Sequence, residues 1–176
     1  SDFPWGNLRE KEMKESFQDL IGICARDQID LLMIAGDLFH RQPLLRELKE
    51  LNYQFEKIPD TKVVLIAGNH DYIGARSHYI DFRWAPNVTM LKGSELEKVY
   101  LEELNTEVYG FSYHRRNIPE AKLNNVTPDK NDRFHILMAH GGDDKNIPMN
   151  KNVVKELPFD YIALGHIHKP TIINNK

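Results

Sequence analysis

The chain has 176 residues, of which 41% are hydrophobic and 28% charged, and a formal net charge of -3. That length suits one domain with a sizeable core, and the composition excludes disordered and fibrous classes. The negative balance argues against a protein that grips nucleic acid chiefly through a basic surface, so any phosphate must be met by metal ions or a local patch.

No apolar run approaches the ~18 residues that span a bilayer, and Ser1-Asp2-Phe3-Pro4-Trp5 lacks the basic and apolar regions of a leader. The single cysteine, Cys24, has no internal disulfide partner. A cytoplasmic setting without a membrane is therefore expected.

Helical and strand patterns alternate from the start, which predicts an α/β domain with helices covering a largely parallel sheet. From Asn7 to Arg26 the apolar positions Met13, Phe17, Leu20, Ile21 and Cys24 recur at helical spacing and predict a covering helix whose stripe is core. Leu31-Leu32-Met33-Ile34-Ala35 reads as a buried strand that stops at Gly36. Pro43 marks the next helix start, with Leu44, Leu48, Leu51 and Phe55 as its apolar stripe. Lys62 to Ala67 repeats the buried strand and ends at Gly68. Further strands are expected at Val88 to Leu91, Glu107 to Phe111, Phe134 to Ala139 and Tyr161 to Leu164. The polar stretch Asn117 to Asp132 reads as a loop with one helical turn.

Four strands end in metal-competent residues: Gly36-Asp37-Leu38-Phe39-His40, Gly68-Asn69-His70-Asp71, His140-Gly141-Gly142 and Gly165-His166-Ile167-His168. Ligands of α/β folds bind beyond the carboxyl ends of the strands, so these segments are expected to converge. Glycine in three of the turns allows a sharp bend. Taken singly, His140 reads as a hydrogen-bonded boundary residue and Gly36-Asp37 as a turn. Together they would need four coincidences in the same kind of position. Imidazole nitrogen with carboxylate and amide oxygen suits divalent Mn, Fe or Zn, and no thiolate favours a softer metal.

In order and spacing these four motifs resemble the calcineurin-like metallophosphoesterase superfamily over most of the chain. Gly36-Asp37-Leu38-Phe39-His40 and Gly165-His166-Ile167-His168-Lys169-Pro170 resemble its SbcD-type DNA repair exonucleases and their YhaO-type relatives. The Ser/Thr phosphatases carry aspartate where this chain has His40. The resemblance implies a four-layer α/β sandwich of two sheets flanked by helices. It also implies two divalent metal ions, most readily Mn, with Fe, Zn or Mg as alternatives. Asp37 would bridge them, Asn69, His140 and His166 would complete one site, and His168 would belong to the other. His70 would protonate the leaving oxygen or stabilise the phosphate in flight, with His40 in support. Two cations about 4 Å apart suffice for phosphodiester hydrolysis without a covalent intermediate. DNA is the implied substrate, an SbcC-like ATPase the implied partner, and a homodimer is compatible with it.

The family opens with an Asp-x-His motif at the end of its first strand, and none precedes the first helix here. Residues 1–176 are therefore expected to form the nuclease domain without that strand and without a C-terminal capping region. One metal is expected to bind well, the other weakly, and activity to be impaired. Arg41, Arg115 and Arg116 are candidate phosphate contacts, with a solvated basic loop the alternative for the latter two. His78 and His135 are set aside as surface or structural. Because the metal chemistry is shared, a phosphatase or cyclic-nucleotide phosphodiesterase is the alternative enzyme, and a catalytically silent scaffold subunit the alternative outside enzymes.

Overall fold

The computed structural model of the chain describes residues 4–141, 145–165 and 171–173. In chain order it holds α1 (Pro4–Arg26), β1 (Leu31–Ala35), α2 (Leu45–Glu56), β2 (Lys62–Ile66), β3 (Val88–Met90) and β4 (Glu97–Leu101). A 3-10 turn (Glu102–Leu104) leads to β5 (Thr106–Gly110), β6 (Phe134–His140), α3 (Lys151–Lys155), β7 (Tyr161–Gly165) and β8 (Thr171–Ile173).

The strands form two four-stranded sheets, in the orders β3-β2-β1-β8 and β4-β5-β6-β7. Each has three parallel strands and one antiparallel edge, β8 in the first sheet and β4 in the second. Alternation along the strands builds the layers. Leu31, Met33, Val64 and Ile66 turn inward from the first sheet to meet Val108, Ile136, Met138 and Ala163 of the second. Their neighbours Leu32, Ile34, Val63 and Leu65 face outward and are covered by Ile21 and Cys24 of α1 and Leu48, Leu51 and Phe55 of α2. Beyond the second sheet, Tyr109, Leu137 and Ala139 are covered by Ile118, Leu123, Ile147, Val154 and Leu157, from the 117–132 loop and the region of α3. The sandwich of two sheets flanked by helices expected from the sequence is what forms.

Several local expectations are corrected. Met13 is 39% exposed, so the apolar stripe of α1 reaches core only from Phe17 onward, where the ring meets Phe55 edge-on at 5.7 Å. Residues 10–16 are all exposed, and Lys14 meets α2 there through an ion pair with Glu50 rather than an apolar contact. Helix α2 starts two residues after Pro43, because the main-chain N–H of Leu44 is capped at 2.8 Å by the Glu47 carboxylate. Strands β4 and β8 and helix α3 were not predicted. Strand β4 begins with exposed Glu97 and Lys98 on an edge, β8 has three residues and α3 five, all too short or too polar to leave a periodic signal. The 117–132 loop contains a hydrogen-bonded turn at 122–125 and no helix.

Candidate metal and phosphate site

Strands β1 and β2 run parallel, as do β6 and β7, and the carboxyl ends of the two pairs meet at one edge of the sandwich, where His140 and Gly165 border Ala35. Beyond β1 the backbone turns left-handed at two consecutive residues, Gly36 (φ +87) and Asp37 (φ 53). A non-glycine residue with positive φ is uncommon and needs outside support. Asp71 supplies it. This wholly buried carboxylate accepts from the main-chain N–H groups of Asp37 (3.2 Å), Phe39 (3.4 Å) and Gly68 (2.8 Å), and from the Tyr79 hydroxyl (2.9 Å). The loops after β1 and β2 are thus tied through one side chain. In return, the N–H of His70 donates to Asp37 Oδ1 at 2.9 Å.

Close approach decides these glycines. A Cβ on Gly36 would lie 2.7 Å from His140 Nδ1, and one on Gly68 would lie 2.9 Å from the carboxyl carbon of Asp37. At Gly68, and at Gly165 where the Ala35 carbonyl intrudes, the reason for glycine is therefore space rather than the sharp bend expected from the sequence.

His140, the last residue of β6, is 2% exposed, and its main-chain oxygen accepts from the Tyr113 hydroxyl at 2.7 Å. Its Nδ1 lies 2.9 Å from the carbonyl oxygen of Ala35, which can only accept, so Nδ1 carries the proton. Its Nε2 faces two oxygens, Asn69 Oδ1 at 2.8 Å and Asp37 Oδ2 at 3.2 Å. With a neutral ring, three lone pairs point at one another, and only a proton or a cation reconciles them. The spacings also match the roughly 3 Å expected between adjacent donors around a cation held at about 2.1 Å. The donor set fits a divalent ion in the mixed nitrogen and oxygen class.

Electrostatics follow the same contacts. Burial pushes the Asp37 carboxyl up, but the His140 hydrogen bond and charge outweigh it and leave the group below the usual carboxylate range. Burial pulls His140 down, and the bond to Asp37 more than restores it. Asp71 is raised by burial despite its donors, and burial drives the Tyr79 hydroxyl well above its ordinary value.

The structure therefore brings together Asp37, Asn69 and His140 from three strand ends. His70 and exposed His40 stand beside them, their rings edge-on with centroids 6.2 Å apart. Gly165 pairs with His140 in the β6–β7 register, whereas His166 and His168 lie outside the described residues. Among the described residues no group of three His, Cys, Asp or Glu could hold a metal, the third donor here being an asparagine. Arg41 turns its guanidinium to Glu47, at 2.7 and 3.0 Å, instead of to the site. Arg115 pairs with Glu120 at 2.5 Å, and Arg116 is exposed on the same loop. His135 packs at the other end of β6, 3.3 Å from Glu107, away from the site. A cavity of about 690 Å³ beside α2, lined by Lys49, Arg76, His78 and Phe82 among others, includes none of the candidate residues. Asp71, Tyr79 and Tyr113 were not expected as site components; only Asp71 left a signal in the sequence, as the last residue of Gly68-Asn69-His70-Asp71.

The family profile for calcineurin-like phosphoesterases matches residues 11–170, nearly the whole chain. The chain belongs to that family. Phosphoester hydrolysis with divalent metal ions is the general chemistry of that family. The chain is 31% identical over 173 residues to an uncharacterized metallophosphoesterase, YhaO, of Bacillus subtilis, which covers 90% of this chain and 41% of that protein. It is 32% identical over 173 residues to the DNA double-strand break repair protein Mre11 of Methanocaldococcus jannaschii, covering 92% and 46%. Against a subunit of the nuclease SbcCD of Staphylococcus epidermidis it is 26% identical over 194 residues, covering 85% and 49%. The chain thus spans less than half the length of these relatives. These likenesses agree with the SbcD/YhaO-type branch of the family. No helix among the described residues is long and apolar enough to cross a membrane.

Proposed function

We propose that this domain is the nuclease module of a DNA repair exonuclease of the SbcD type and hydrolyses phosphodiester bonds in DNA. The observation that carries the reading is the meeting of His140 Nε2 with Asn69 Oδ1 and Asp37 Oδ2. Three acceptor atoms from strand ends up to 103 residues apart face one another only with a proton or a cation among them, and their convergence at the carboxyl ends of the strands favours the cation.

In this reading Asp37, Asn69 and His140 hold the metal, with His166 and His168 as further ligands and Asp37 shared between two ions. Mn fits the mixed nitrogen and oxygen donor set, and Fe, Zn and Mg are the alternatives. When bound, such a pair of cations clamps the phosphate, supplies hydroxide near neutral pH and offsets charge on the attacking and leaving oxygens. The chain's own part is to orient and to move a proton. His70 is fixed by its main-chain bond to Asp37, so its ring is held beside the donors and can deliver a proton to the leaving oxygen. His40, edge-on to His70, stabilises the phosphate from the exposed side. Exposed Arg116, on the loop after β5, is the readier contact for a DNA backbone, whereas Arg115 must first give up Glu120 and Arg41 must give up Glu47. The nuclease-subunit and repair-protein names of the relatives support DNA as substrate and, for the longer protein, an SbcC-like ATPase partner; a homodimer and a cytoplasmic setting belong to the same reading.

The test is hydrolysis by the full-length protein of single-stranded DNA, a cyclic nucleotide and a phosphomonoester, each with Mn²⁺ and with chelator, beside Asn69→Ala. The expected result is chelator-sensitive cleavage of DNA in preference to the other two, and Mn²⁺ binding about tenfold weaker in the variant. Preference for the cyclic nucleotide or monoester would move the protein to another branch of the family. Unchanged rates in chelator would remove the metal reading.

A further inference from the structure

Asp71 spends all its hydrogen-bonding capacity on the two loops that carry Asp37 and Asn69. Its Oδ1 accepts from Asp37 N at 3.2 Å and Gly68 N at 2.8 Å. Its Oδ2 accepts from Phe39 N at a long 3.4 Å and from the Tyr79 hydroxyl at 2.9 Å. Tyr79 is the one side-chain donor to this carboxylate among the described residues, and it makes the short contact on Oδ2. Without it Oδ2 would keep a single weak bond in a position wholly shielded from water.

The carboxylate would then have little to stop it turning about its last side-chain bond, which is a soft torsion. Any such turn moves Oδ1 off the Asp37 and Gly68 N–H groups. Asp37 would lose what steadies its left-handed backbone, and Gly68 immediately precedes Asn69. The Tyr79 hydroxyl donates to Asp71 and to none of the three cluster donors themselves; its ring is 1% exposed and packs in the outer core with Leu48, Ile73 and Ala85.

We propose that Tyr79 is a positioning residue for the site: its buried hydroxyl orients the Asp71 carboxylate, which ties the loops after β1 and β2 together and so sets Asp37 and Asn69 against His140. The inference rests on the divalent-cation reading of that cluster and adds to it a support eight residues beyond Asp71. The ring fills core and the hydroxyl alone does the positioning, so the two contributions separate on removal of one oxygen.

The experiment is calorimetric titration of Mn²⁺ into the full chain and into Tyr79→Phe, with Thr61→Val as control. Thr61 is a buried hydroxyl that donates to the Ile29 carbonyl at 2.7 Å, at the opposite end of β2, so its loss costs a comparable hydrogen bond away from the site. Tyr79→Phe is expected to bind Mn²⁺ about tenfold more weakly, the usual scale for loss of an outer-shell partner, and to speed amide exchange at Gly68. Thr61→Val is expected to melt earlier and to keep the wild-type Mn²⁺ affinity. Affinity in Tyr79→Phe within twofold of wild type overturns the inference and leaves the cation reading standing. Absence of Mn²⁺ binding by the wild type sinks both. If Tyr79→Phe does not fold, 3-fluorotyrosine at position 79, a stronger donor of similar size, decides instead: a shifted Mn²⁺ affinity supports the role, and an unchanged one overturns it.

Discussion

The carbonyl oxygen of Ala35 accepts from Nδ1 of His140, a residue 105 positions further along the chain, at 2.9 Å. The same stretch of backbone also borders Gly165: a Cβ on that glycine would press into the Ala35 carbonyl oxygen and come within 2.7 Å of the Ala35 side chain. One carbonyl thus orients the histidine of one sheet and limits the size of its neighbour on β7.

Gly165→Ala is expected to destabilise the fold by about 1–3 kcal/mol, the usual cost of overpacking, since backbone and not a flexible side chain must give way. Because the displaced carbonyl is the one that holds His140, Mn²⁺ affinity should fall with it. Thermal melts with and without Mn²⁺ check both, and the stabilisation that Mn²⁺ confers should shrink in the variant. A melt shift with undiminished Mn²⁺ stabilisation would separate the glycine from the site.

His70 touches the cluster through its main-chain N–H, which any residue supplies. His70→Ala is therefore expected to keep Mn²⁺ affinity within about twofold while kcat on DNA falls by roughly 10²–10⁴, the range for a general acid. Steady-state kinetics beside a metal titration give the split. Equal kcat in the two proteins would take His70 out of the reaction.

At the far end of the second sheet, Glu107 is wholly buried. Burial alone would raise its carboxyl, but bonds from Asn131 at 2.7 Å and Lys98 at 2.9 Å, with the Lys98 charge and His135 at 3.3 Å, hold it down to about 2. A depressed folded value adds stability that is present above the unfolded value of 4.5 and is lost as pH falls toward about 2. Other carboxylates titrate in the same window, so the informative quantity is wild type minus Glu107→Gln. That difference in melting temperature should be steady above pH 5 and narrow as pH drops from 4.5 to 3. A difference that widens toward low pH would contradict the assignment.

Asn87 joins the loop after α2 to the start of β3, its amide donating to the carbonyls of Phe55 (3.1 Å), Ile58 (2.9 Å) and Thr61 (3.1 Å). Asn87→Ala removes two amide hydrogens shared among these carbonyls, of which Phe55 and Ile58 keep main-chain donors, and is expected to cost about 1–2 kcal/mol. Chemical denaturation measures it, and Mn²⁺ affinity should not change, since none of these groups touches a strand-end loop.

The core strands were legible because Leu31 to Ala35 and Lys62 to Ile66 are continuous apolar runs bounded by glycine, a signal that burial on both faces imposes directly on composition. The ligand candidates were legible for a related reason: Asp37, Asn69 and His140 are polar residues set where an apolar run stops, and chain direction in a parallel sheet sends all such stops to one edge. Strand β4 was not legible, because an antiparallel edge with exposed Glu97 and Lys98 has one half-covered face and little periodicity to show. Nor was the exposure of Met13, since a stripe records which side of a helix is apolar and not how far along it a partner reaches.

What the sequence by itself determined was the class of the fold, two βα units and the strands that follow them, and the kinds of atom available at the strand ends. Only the tertiary structure decided how those atoms are held: that Ala35 orients His140, that Asp71 and Tyr79 bind two loops into one, and that Arg41 turns to Glu47. Such contacts join residues 6 to 105 positions apart through hydrogen bonds of fixed direction, and direction in space is a property of the packed chain that no local pattern of residue types encodes.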